Sequence, residues 1–178
     1  MKSTEIQRLR DAETRPALFS RKSDEISLSG PALVELLMAV LDKGMPFRFQ
    51  AKGVSMTPFI KDEDVITVSP LSGAFPRRGD VVAFTHPGTG RLVIHRVVGK
   101  KGRHFLLKGD NVSRVENKVP EKNLLGFVTI VERNSKQVFL GLGPERFLIA
   151  LLTRIGLLSH VLPYLLKLVR PFAKRLAL

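Results

Sequence analysis

Between Phe47 and Leu140 apolar residues come in short runs of strand-like alternation, while the sequence on either side repeats its apolar positions at helical spacing. The central part predicts strands over Phe47–Lys52, Val65–Val68, Asp80–Phe84, Leu92–Val98, Phe105–Lys108, Leu124–Val131 and Val138–Leu140, separated by turns rich in Gly, Pro, Asp and Asn. So many short strands at close spacing imply a mainly β fold built on a partly closed sheet. Ahead of them, Ser29-Gly30-Pro31 reads as a helix start. Leu33, Val34, Leu36, Leu37, Val40 and Leu41 then form one amphipathic helix that Lys43-Gly44 closes. Beyond Pro144 the apolar runs Phe147–Leu152 and Ile155–Leu166 are broken by Arg154, His160 and Pro163. The chain thus divides into a flexible polar arm over residues 1–30, an amphipathic helix over 31–46, a β-rich core over 47–143 and a basic hydrophobic helical extension over 144–178.

A chain of 178 residues suits one domain with appendages. It has no cysteine, which removes disulfides, thiolate metal sites and a cysteine nucleophile. With 29 Lys plus Arg against 16 Asp plus Glu the formal charge is +13, which favours an anionic surface, whether nucleic acid or lipid. The charge is concentrated at the C-terminal end, where six basic residues against Glu145 give +5 from Pro144 onward. Each apolar run there is shorter than a bilayer crossing, and a continuous span would bury Arg154 or His160. A helix lying in the headgroup region with its cations on phosphates fits that pattern, and an anionic membrane surface is the expected partner. A pair of core helices packed on the sheet is the competing reading. The absence of Trp and the single Tyr164 leave little for stacking on bases, which argues against nucleic acid. No apolar run in Met1–Ile26 reads as a signal peptide.

Three short segments carry the candidate chemistry: Gly53-Val54-Ser55-Met56-Thr57-Pro58, then Ile94-His95-Arg96-Val97-Val98, then Lys108-Gly109-Asp110-Asn111. A hydroxyl in a turn, an imidazole on a strand and a carboxylate after a strand are a nucleophile, a base and a group to orient the base. Read singly, Ser55 is a turn serine, His95 a core histidine and Asp110 a turn carboxylate. In this order and spacing they resemble the type I signal peptidase family, in its serine–histidine branch of endoplasmic reticulum and archaeal type, over roughly Phe47–Glu132. Most bacterial members and the related self-cleaving repressors carry lysine where His95 stands.

That resemblance implies a serine endopeptidase that cuts a leader or signal peptide from a precursor, with no metal or organic cofactor. Ser55 would attack, His95 would act as base near its ordinary pKa of about 6.5, and either Asp110 or Glu116 would hold the imidazole. Glu116 stands at a second acidic position of the family segment, where aspartate is usual. The Ser55 N–H is the expected oxyanion donor. A substrate would lie extended along a strand edge, with shallow pockets for small side chains. His86, His104 and His160 match no family segment and read as surface or structural. Two departures stand out. The family usually has glycine where this chain has Glu63, which implies an altered turn. It also usually has a membrane span where Ala32–Leu41 is short and contains Glu35. Two readings from other classes compete: a DNA-binding, self-cleaving repressor, weakened because one helix before Phe47 is too little for a helix-turn-helix, and a non-catalytic membrane-docking module.

Overall fold

A computed structural model describes residues 30–113 and 117–158. Helix α1 (Gly30–Asp42) precedes β1 (Phe47–Gln50), β2 (Val65–Pro70), β3 (Val81–Thr85), β4 (Leu92–Lys101), β5 (His104–Lys108) and β6 (Asn117–Pro120). A 3₁₀ turn (Glu121–Asn123), β7 (Leu124–Arg133), β8 (Lys136–Gln137) and helix α2 (Arg146–Arg154) follow. The strands form one eight-stranded antiparallel sheet in the order β1-β2-β7-β3-β4-β5-β6, with β8 added to β7 and the sheet left open. The protein is mainly β, as its alternation predicts.

Period-two alternation sorts the core. On β3, Val81 and Ala83 join an apolar cluster with Leu37 and Leu41 of α1 and Ile66 and Val68 of β2. Val82 and Phe84, facing the other way, join Val97, Phe105, Leu107 and Val119. Strand β4 keeps its predicted faces as far as Val97, then the register slips between Val97 and Gly99, so that Val97 and Val98 are both buried.

Two strand assignments differ from the sequence reading. The expected strand Val138–Leu140 is replaced by the shorter β8, because Asn134 and Ser135 both take positive φ and close a tight hairpin that commits Lys136 and Gln137 to β7. Phe139 and Leu140 emerge exposed. Strand β6 was hidden by its polar composition and Pro120, since only Val119 of its four residues belongs to the core. Pro120 is tolerated because β6 is an edge strand.

The C-terminal segment reaches the core through α2. Ile149 and Ala150 are buried, and Ile149 packs with Leu158 against Phe59. The opposite face stays apolar and exposed at Phe147, Leu148 and Leu151. The helix thus has one face in the core, as the core-helix reading expects, and one apolar face in solvent. His160 and the residues after it, like the N-terminal arm, lie outside the described residues.

Candidate active site

Ser55 sits in the turn between β1 and β2. Met56, Phe59 and Ile60 are buried and anchor this segment, and the N–H groups of Phe59 and Ile60 both reach the Met56 carbonyl. Gly53 N–H donates to Asp62 Oδ1 at 2.7 Å, which closes the loop ahead of the serine. Behind it, Asp64 accepts Arg133 Nη2 at 2.7 Å and the Lys61 N–H at 2.8 Å. Burial alone would push the Asp64 carboxyl up, but Arg133 and the Lys61 N–H together hold it below its ordinary value. Ser55 itself is half-buried while Val54 beside it is exposed. Among the described residues the Ser55 N–H donates to no protein acceptor.

The turn at Glu63 is left-handed although the residue is not glycine. Glu63 takes φ +68°, the left-handed conformation that glycine adopts freely, and its N–H donates to the Ala51 carbonyl at 2.9 Å. The Glu63 side chain extends into solvent and reaches Lys52 at 3.7 Å.

His95 lies on β4 opposite Val82, with its ring 5.8 Å from that of Phe84. Arg96 pairs with Lys108, so the next residue along, Gly109, emerges beside His95 where β5 ends. The fit is close: a Cβ on Gly109 would stand 2.7 Å from the Ser55 carbonyl oxygen and 3.1 Å from His95 Nε2. Only a residue without a side chain passes between the serine turn and the imidazole. Asn111 completes the junction by donating its N–H to the Ser55 carbonyl at 2.8 Å and its Nδ2 to the Val54 carbonyl at 3.3 Å. The three sequence segments therefore meet, although Ser55 and Asn111 are far apart in the chain.

His95 is held neutral more firmly than a reference imidazole. Burial, and secondarily the positive field of His86, push it down to about 4, in place of the expected value near 6.5. Its Nδ1 is buried and, among the described residues, has no hydrogen-bond partner. The carboxylate expected to orient it is turned elsewhere: Asp110 accepts Arg96 Nη2 at 2.7 Å and Nε at 2.9 Å, and Thr153 Oγ1 at 2.9 Å. The remaining nitrogen of Arg96, Nη1, donates to the carbonyls of Gly79 and Gly141, both at 2.8 Å, and the guanidinium lies over the Phe59 ring at 5.5 Å. The physical reason is the alternation of β4. Arg96 points to the opposite side from His95, and a fully buried guanidinium needs a buried counter-charge. Glu116, the other acidic candidate, lies outside the described residues.

Ser55 opens onto a cavity of about 1060 Å³ bounded by the first turns of α1, the chain from Phe49 to Gly53 and the start of β4. Its walls are apolar at Leu33, Val34, Met56 and Ile94, with His86 at the rim. Among the described residues β1 pairs only with β2, and Leu92–Ile94 of β4 pair only with β3, so two backbone edges that border this groove have no strand partner there. Among the described residues no group of His, Asp and Glu is arranged to hold a metal ion. Sequence reasoning does not single out His86 or Thr153 as site residues, and Thr153, between two apolar runs, carries no local signal.

A family model described as Peptidase S24-like matches residues 24–129, which takes in the Ser55 turn, His95 and the Gly109–Asn111 turn. No curated protein matches the chain.

Proposed function

The chain belongs to the Peptidase S24-like family, a serine-peptidase kind of domain, and on that premise we propose that it is an endopeptidase of signal-peptidase type that removes a leader or signal peptide from precursor proteins. The observation that carries this reading is the packing of Gly109 between the Ser55 carbonyl and His95 Nε2, with Ser55 lining a groove that two strand edges, unpaired among the described residues, border. An extended peptide pairs along such an edge and brings its carbonyl carbon to Ser55. His95 Nε2 takes the hydroxyl proton as Ser55 Oγ attacks, then returns it to the leaving amine; water repeats the sequence to free the acyl group. The uncommitted Ser55 N–H is the candidate oxyanion donor. The imidazole at position 95 supports the serine–histidine branch. With Asp110 engaged by Arg96, the chemistry reduces to a Ser55–His95 pair, and Glu116 is the remaining acidic candidate for Nδ1.

Mass spectrometry of leader-bearing precursors, incubated with wild type and Ser55→Ala protein, tests this. We expect cleavage by wild type only, with Ser55→Ala changing stability by under about 1 kcal/mol because one oxygen of a half-buried turn residue is lost. Equal turnover by a clean Ser55→Ala preparation would refute the mechanism. Cleavage of the protein's own chain alone would favour the self-cleaving repressor reading.

The same proposal includes attachment to an anionic membrane surface. Exposed Phe147, Leu148, Leu151 and Ile155, together with the +5 charge from Pro144 onward, support it. Among the described residues no helix is long and apolar enough to cross a membrane. Sedimentation with phosphatidylserine vesicles should bind the protein and release it as salt rises; indifference to such vesicles would remove the membrane from the proposal.

A further inference from the structure

Helix α2 begins beyond the family-matched residues 24–129, yet its buried face reaches the peptidase site from behind. Thr153 is 1% exposed and donates Oγ1–H to Asp110 Oδ1. A hydroxyl on an otherwise apolar helix face costs free energy unless it finds a partner, and helical threonines commonly satisfy themselves on their own backbone. Here the hydroxyl goes instead to a carboxylate that Arg96 already holds through two nitrogens. One turn earlier, Ile149 packs on Phe59, which belongs to the Ser55 turn and lies under the Arg96 guanidinium. Before the helix starts, Arg96 Nη1 grips the Gly141 carbonyl, and Glu145 Oε1 accepts the N–H groups of Gly141 and Gly143. The helix is tied to the site's loops at both of its ends.

The geometry points to a positioning role for Thr153: it holds Asp110 from outside the family segment and so sets the Gly109–Asn111 turn that spaces Ser55 from His95. Asp110 sits between Gly109, which has no room for even a methyl group, and Asn111, whose N–H holds the Ser55 carbonyl. A displacement of Asp110 by a few tenths of an ångström is therefore felt on both sides of the Ser55–His95 gap. Catalytic groups misplaced by such amounts lose rate rather than substrate affinity. The kinetic consequence rests on the peptidase reading; the hold on the turn does not.

The test compares full-length wild type, Thr153→Val and Thr153→Ser by steady-state cleavage of a leader peptide and by amide hydrogen exchange. Thr153→Val keeps the shape and removes the donor. It should lower kcat on the order of tenfold with KM nearly unchanged, and speed exchange of the Asn111 amide while the β2 amide of Ile66 stays as slow as in wild type. Thr153→Ser should restore both. Wild-type kcat and Asn111 exchange in Thr153→Val would overturn the proposal. So would a loss that Thr153→Ser does not repair and that accompanies faster exchange at Ile66, since that is loss of global stability. If wild type cleaves nothing, the peptidase reading fails, and Asn111 exchange alone still decides whether Thr153 holds the turn.

Discussion

His95 and Arg96 are neighbours on one strand, and the structure treats them in opposite ways. Arg96 is fully buried and every part of its guanidinium is engaged, by a carboxylate, by two carbonyls and by an aromatic ring. His95 is also largely withdrawn from water, yet among the described residues its Nδ1 has no partner, and its Nε2 stands beside Gly109, which packs against the Ser55 carbonyl. A buried charge must be satisfied to persist, whereas a buried imidazole can stay neutral and leave its hydrogen bonding unfinished. Bonding that is complete builds the frame, and bonding left open is what a reaction can use.

The largest effect should come from breaking the closed side. Arg96→Met leaves Asp110 buried without its counter-charge, and we expect a loss of about 3–5 kcal/mol, read as the shift in urea midpoint at neutral pH. A shift smaller than about 1 kcal/mol would mean that Asp110 is not dependent on the pair, and that the contrast with His95 is overstated.

The open side should respond to pH. Because the folded value of His95 lies near 4 and the unfolded value near 6.5, the unfolded chain binds more protons between them. This contribution to stability is complete above about 6.5 and is lost as pH falls toward and through about 4, amounting to roughly 3 kcal/mol when titration is complete. Comparing urea unfolding at stepwise pH for wild type and His95→Leu isolates it: the difference between the two should grow as the solution is acidified, in favour of the leucine variant. Cleavage by wild type should likewise keep its neutral base well below pH 6.5 and fall only near pH 4. An acid limb at 6.5, or parallel stability curves, would show that His95 is solvated and partnered after all.

Much of the architecture was readable from patterns that depend on nearby residues. Strand alternation in Leu92–Val98 put His95 and Arg96 on opposite faces, and the apolar spacing of Leu33 to Leu41 marked α1. Elements with a weak local signal are not legible in this way. Strand β6 has one core residue among polar ones, and β8 owes its place to the left-handed turn at Asn134 and Ser135. At Glu63 hydrogen bonding around Ala51 and Asp64 holds the left-handed backbone on a residue that does not favour it, which residue type alone does not announce.

The sequence by itself determined the mainly β class and the order of the serine, histidine and Gly-Asp-Asn segments, because alternation and short motifs are properties of adjacent residues. Only the tertiary structure decided what each polar group touches. Asp110 faces Arg96 and Thr153, because the packing that brings residues 96, 110 and 153 to one buried point leaves no signature in any local stretch of chain. The same holds for α2, whose apolar residues look alike in sequence. Whether Ile149 or Leu148 meets the core depends on the angle at which the helix lands on β4 and Phe59. Propensity is written residue by residue, whereas desolvation and hydrogen-bond completion belong to the assembled neighbourhood, and those set the state of His95.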